Sequence, residues 1–200
     1  MSRIRPILFN TDMVRAILDA RKTTTRRVAK EIVPFDNDGK YWNTLRKGEW
    51  TGPVIKEVMI QQKAPYQPGD ILYVRETWNE TTHGYNYKAS PLGNSRDTYD
   101  WRPSIHMPKA AARIWLKVID VRVERLHNMD VYDFITEGVC ITPEAFNDPE
   151  NAYGQAKDAF VKIWDSTIKK ADKDKYGWDA NPWVWVIEFK EGEKPEEVSK

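Results

Sequence analysis

The run over residues 112–126 limits the fold more than any other stretch. Ile114, Leu116 and Val118 alternate with their neighbours, and the apolar positions then resume at Val121 and Val123. A period of two marks a strand with a buried face. The step from Val118 to Val121 changes the parity, which predicts a bend or bulge near Asp120. A long strand that bends suits a small curved sheet or a barrel.

The other elements agree with a mixed architecture. Residues 4–9 read as a strand. Asn10 or Thr11 then offers an N-cap oxygen, with Asp12 in the first turn where the helix dipole favours it. Met13, Val14, Ile17, Leu18 and Ala20 fall at helical spacing. The β-branched run from Thr23 to Thr25, continuing to Val28, predicts a strand. Further strands are expected at 54–61, 71–78 and 183–190, with Pro68 and Gly69 forming the turn before the second of these. Asp130 caps a helix over 131–137 that stops at Gly138. Ala156, Phe160, Ile163, Trp164 and Thr167 give an amphipathic helix over 153–169. The expected class is α+β, with two or three helices flanking the sheet.

A chain of 200 residues can bury one sizeable core. Residues 1–190 read as a single domain with insertions at about 34–53 and 79–100, and residues 191–200 as a charged, frayed tail. The 31 basic and 30 acidic residues exclude a bulk polycation, so any nucleic-acid contact must come from a local patch. The single cysteine, Cys140, excludes an internal disulfide and fits a reducing cytoplasm. No apolar run predicts a membrane span or a signal peptide. One Cys and three His cannot furnish a typical zinc site, and no glycine-rich phosphate loop is present, so neither metal nor organic cofactor is expected.

Chemistry concentrates at Arg21-Lys22-Thr23-Thr24-Thr25-Arg26-Arg27. A lysine and three hydroxyls between arginines can bind an anion or activate a nucleophile, although such a strand also serves simply as a solvated edge. Thr23, Thr25 and Arg27 would share one face, with Thr24 and Arg26 on the other. Arg75 and Glu76 are adjacent on a strand and so point to opposite sides; Arg75 is the candidate for a cleft and Glu76 for a structural ion pair. Trp78 and Trp101 lie in polar surroundings where an indole can stack on a base or join the core. His106, beside Ser104 in a proline-bounded segment, is a candidate proton shuttle or base contact.

Several of these segments, in this order, resemble the ASCH domain, a member of the PUA-like superfamily of small β-barrels. They are the sequence from Ala20 to Arg27, the strand from Pro68 to Trp78, the segment from Arg102 to Pro108 and, more weakly, Val186 to Lys190. Within that family the chain is most similar to a longer variety common in bacteriophage and prophage genomes. The resemblance implies a barrel with a cleft that takes RNA or a modified base.

A small bacterial ASCH enzyme that is similar at several points removes the acetyl group from N4-acetylcytidine with a Lys, a Thr and a Glu. Lys22 and Thr25 match its Lys-x-x-Thr element, and Glu137 stands where its Glu falls after the central strand. The present chain departs from it in greater length, in Arg26-Arg27 directly after the Thr, and in the segment from Trp101 to Pro108. Thr25 as nucleophile with Lys22 as base, or Glu137 activating a water beside Thr25, both fit the residue types. The expected site is therefore Lys22, Thr25 and Glu137, with Arg26, Arg27, Arg75, Glu76, Trp78, Trp101, Ser104 and His106 around the substrate. A modified nucleoside or nucleobase is the expected ligand, with hydrolysis placed ahead of non-catalytic reading of RNA or a base. A ribonuclease using His106 is a third reading.

Overall fold

The computed structural model describes residues 2–90, 100–142 and 147–196. In chain order the strands and α-helices are β1 (Ile4–Leu8), α1 (Thr11–Leu18), β2 (Thr24–Val28), β3 (Ile32–Pro34), β4 (Tyr41–Arg46), β5 (Glu49–Trp50), β6 (Val54–Ile55), α2 (Lys56–Lys63), β7 (Ile71–Arg75), β8 (Trp78–Thr81), β9 (Gly84–Tyr87), β10 (Trp115–Arg125), α3 (Val131–Thr136), α4 (Pro149–Thr167), α5 (Lys173–Tyr176) and β11 (Trp183–Glu191). The protein is a mixed α+β structure.

The main sheet runs β1-β7-β10-β11-β2. β1 pairs with β7 in parallel, and the remaining neighbours are antiparallel. β11 explains its own apolar sequence. Trp185, Ile187 and Phe189 pack with Ile7, Phe9, Val14, Leu72 and Val121 on one face. Val184 and Val186 pack with Phe134, Phe160, Trp164 and Trp178 under α3 and α4 on the other. A strand covered on both sides loses the polar half of its alternation. In β10 the register against β11 shifts between Val118 and Asp120, so the bulge falls at Ile119, where the parity change predicts it.

The structure corrects the expected barrel. Among the described residues the sheet stays open, with β1 and β2 as its edges. The outer edge of β2 is diverted into side-chain contacts: Lys22 Nζ donates to Thr24 O at 2.7 Å, and Arg27 Nη1 to Arg26 O at 3.1 Å. A side chain links the two edges, Arg27 Nη2 donating to Leu8 O at 3.1 Å.

Five α-helices flank the sheet among the described residues, more than the two or three expected. One of them, α2, replaces most of the strand expected at 54–61. Val58, Met59 and Ile60 are consecutive apolar residues, compatible with either period; the helix sends Met59 fully into the core, where Val54 and Ile60 flank it. β3 to β6 form a small separate sheet over the first expected insertion. The strand expected at 71–78 divides in two, since Glu76 leaves the ladder and its N–H meets Met107 Sδ at 3.2 Å. The second expected insertion opens with the β8–β9 hairpin, and its residues 91–99 lie outside the described residues. Among the described residues no helix is long and apolar enough to cross a membrane. No group of three or more His, Cys, Asp or Glu there is placed to hold a metal ion.

Candidate active site

Two helix ends bring the central residues together. α1 closes with Ala20 N–H on Ile17 O at 2.9 Å and Arg21 N–H on Ala16 O at 2.9 Å. α3 closes in the same way, with Gly138 N–H on Ile135 O at 2.8 Å and Val139 N–H on Phe134 O at 3.1 Å. Both are Schellman motifs, which need a left-handed residue just beyond the last turn. Ala20 takes φ of 56° and Gly138 takes φ of 97°. A Cβ on Gly138 would lie 2.7 Å from Ala16 Cβ and 3.2 Å from Lys22 Cβ, so glycine lets the two turns touch. Lys22 and Glu137 thereby meet as an isolated antiparallel bridge, 115 residues apart in the chain.

The Lys22 side chain is fully buried. Its Nζ donates to Glu137 Oε2 at 2.6 Å, Glu137 O at 2.8 Å and Thr24 O at 2.7 Å. Three acceptors use all three donors of an ammonium. Burial pushes the Lys22 pKa below its ordinary value, against the attraction of Glu137, while Arg27 and Arg26 add to the lowering.

Glu137 is shared with Arg26, whose Nη1 lies 3.4 Å from Oε1. Arg26 Nη2 also donates to Glu124 at 2.8 Å and to Asp133 at 2.7 Å. Burial disfavours the Arg26 charge, but Glu137, Asp133 and Glu124 outweigh it and hold the pKa above its usual value. Arg122 extends the network outward, 3.5 Å from Glu124 and 3.9 Å from Asp133. With its charge neutralised by carboxylates, Arg26 is an organiser of Glu137 rather than a free anion contact. Its Nε is buried and has no partner among the described residues.

Thr25 and Arg27 occupy the opposite face of β2, as the alternation requires. Arg27 Nη1 donates to Thr25 Oγ1 at 2.9 Å, so the hydroxyl accepts from a cation and keeps its own hydrogen for donation. Arg27 lies 5.5 Å over the Phe9 ring, and burial lowers its pKa. Thr25, Arg26, Arg27, Glu137 and Ser104 all line one cavity of about 790 Å³. Lys22 lies behind that wall. The volume falls within the range of small-molecule sites.

Other candidates sit elsewhere. Arg75 Nε donates to Met107 O at 2.7 Å, and its Nη2 donates to Ile105 O. It fastens the segment around Ser104, and Thr77 joins the cavity wall instead. Glu76 is bound by Arg113 at 2.8 and 2.9 Å. Trp78 is buried with Met107 and Trp115, and Arg102 lies 5.2 Å over its ring. Trp101 is half-buried, whereas His106 is exposed and is not among the lining residues.

Sequence reasoning missed Asp133, Glu124 and Arg113. Asp133 had a local signal, the capping box it forms with Asp130. Glu124 lay on the polar phase of β10, but its meeting with Arg26 depends on the order of strands. Arg113 carried no signal before its pairing with Glu76 was known.

No protein-family model and no curated protein matches the chain. Among solved structures, the chain is similar to an ASCH domain from Lactobacillus crispatus JV V101, at 10% identity and a TM-score of 0.41, over 94% of this chain and 79% of that one.

Proposed function

We propose that this chain is an amidohydrolase that removes an acyl group from the exocyclic amine of a modified nucleoside such as N4-acetylcytidine. The observation that carries the reading is the 2.6 Å contact between buried Lys22 and Glu137, with Glu137 and Thr25 on the wall of one cavity. The sequence resemblance gives these same three residues, and they are distant in the chain.

The geometry favours a water route. Lys22 spends its donors on Glu137 and Thr24, away from the Thr25 hydroxyl. Glu137 therefore takes a proton from a water in the cavity, and the water oxygen attacks the acyl carbon. The carbonyl π electrons move to its oxygen, where the Thr25 hydroxyl, polarised by Arg27, donates to the growing charge. Glu137 then returns the proton to the exocyclic nitrogen as the carbon–nitrogen bond breaks, giving the free amine and a carboxylic acid. Lys22 and Arg26 hold the Glu137 side chain in place between these transfers.

The complete satisfaction of the Lys22 ammonium favours a second reading, a non-catalytic module for a modified base or the RNA that carries it. Mass-spectrometric turnover with a panel of N4-acylated cytidines, run beside calorimetric titration, separates the two. The amidohydrolase releases cytidine, Lys22→Ala abolishes the release, and Thr25→Val slows it by about 10²–10³-fold. Saturable binding without release by the wild type would leave the binding module.

A further inference from the structure

The free edge of β2 carries backbone groups that the site has not yet used. The phase of the ladder fixes which ones. Phe189 N–H donates to Thr23 O at 2.9 Å, and Ala29 N–H donates to Trp183 O at 2.9 Å. Between these points Thr25 pairs with Ile187 and Arg27 with Trp185. In an antiparallel pair the hydrogen-bonded positions alternate. Residues 25 and 27 therefore address β11, while the N–H and C=O groups of Thr24, Arg26 and Val28 face away from it. The two contacts already described agree with this phase, since both Thr24 O and Arg26 O accept from side chains on the outer edge.

That edge is unequal in its donors and acceptors. Lys22 and Arg27 cover the Thr24 and Arg26 carbonyls, while among the described residues no side chain meets the N–H of Arg26 or Val28. An incoming peptide strand needs donors and acceptors in alternation, so the covered carbonyls oppose strand addition. The remaining donors suit an acceptor-rich ligand. The cavity follows this edge: it is lined by Thr25, Arg26, Arg27 and Val28, with Phe9 on one side and Trp164 on the other. The two N–H groups stand about 7 Å apart along a strand, too far to share one atom, so they take two acceptors of one ligand. An unpaired N–H in such a cavity is hydrated when free, and a ligand oxygen replaces that water.

We propose that the backbone N–H groups of Arg26 and Val28 form the reading edge of the cavity and hydrogen-bond two acceptor atoms of an acylated nucleoside. This rests on the nucleoside reading above and extends it to the groups that hold the ligand.

Amide-resolved NMR of the ¹⁵N-labelled full chain tests it. In the free protein the amides of Arg26 and Val28 should exchange with solvent far faster than those of Thr25 and Arg27. Slow exchange at both would overturn the edge. On adding N4-acetylcytidine, Arg26 and Val28 should shift and become protected, together with Gly138 across the cavity. Shifts at Gly138 without Arg26 and Val28 would overturn the reading edge and leave the ligand assignment standing. No shift anywhere would overturn the assignment of the nucleoside, and with it the proposal. Val28→Pro supplies an independent arm, because it removes an N–H that the ladder does not use. It should weaken N4-acetylcytidine binding about tenfold relative to Val28→Ala, a loss on the scale of one hydrogen bond. Equal affinity of the two variants would contradict the proposal, as would loss of affinity matched by loss of folding in Val28→Pro while the Val28 amide of the wild type stays unshifted.

Discussion

Glu137 and Glu76 are both buried carboxylates held by cations, and only Glu137 opens onto the cavity. Glu76 is gripped by one guanidinium in a two-point contact at 2.8 and 2.9 Å, beneath Arg113 stacked 4.1 Å over Tyr87. Glu137 is divided between Lys22 and Arg26, with the Arg26 contact long at 3.4 Å. The first arrangement ties the end of β7 to the segment that precedes β10. The second places a carboxyl side chain at a cavity wall. A buried ion pair alone is thus poor evidence of a site, because both pairs satisfy their charges. What separates them is access to the cavity, whose wall also carries Thr25.

The largest expected effect breaks the comparison from the Glu137 side. Glu137→Gln should lower turnover of N4-acetylcytidine by about 10²–10⁴-fold, the usual share of a general acid–base. It should also cost about 3–5 kcal/mol, because the buried Lys22 is left without its carboxylate partner. Glu76→Gln should cost about 1.5–3 kcal/mol in urea unfolding, since Arg113 has partial access to water, and should leave nucleoside affinity unchanged.

Gly138→Ala sharpens the comparison through the backbone that presents Glu137. Positive φ costs about 1–3 kcal/mol, and the close approach of Ala16 adds to it, so both thermal stability and turnover should fall. Ala20 occupies the equivalent place in the other helix end, at φ of 56°, and so Ala20→Gly should change stability in the opposite sense. A gain of about 0.5–1 kcal/mol is expected, because relief of left-handed strain exceeds the added chain entropy.

The pH dependence of stability reports Lys22. Its folded pKa lies below the ordinary 10.5, so between the two values the unfolded chain binds more protons. Stability attributable to Lys22 should therefore rise as pH climbs through its folded pKa toward 10.5. Below that window the burial cost is fully present. Urea unfolding of the wild type against Lys22→Met across alkaline pH should show the difference curve rising, and a falling curve would contradict the assignment.

Much of the sheet was legible in the sequence because its signals are local. The parity change in residues 112–126 marked the bulge at Ile119, and Asp130 and Gly138 marked both ends of α3. The alternation in β2 separated Thr25 and Arg27 from Arg26. The α2 segment was not legible, since Val58, Met59 and Ile60 suit either period until a core selects one. The charge network was equally hidden. Arg26 meets Glu124 98 residues away and Asp133 107 residues away, through strand order and helix placement that no local spacing encodes. Lys22 stood out in its basic, hydroxyl-rich run and Glu137 entered through a resemblance of segments, while the two helix ends that join them emerge only in three dimensions.

The most direct test is cytidine release from N4-acetylcytidine, followed by mass spectrometry for the wild type, Glu137→Gln and Glu76→Gln in parallel with ligand titration. The wild type and Glu76→Gln should turn over, while Glu137→Gln should bind and release little or no cytidine. Turnover by Glu137→Gln at the wild-type rate, or no turnover by any of the three, would contradict the account.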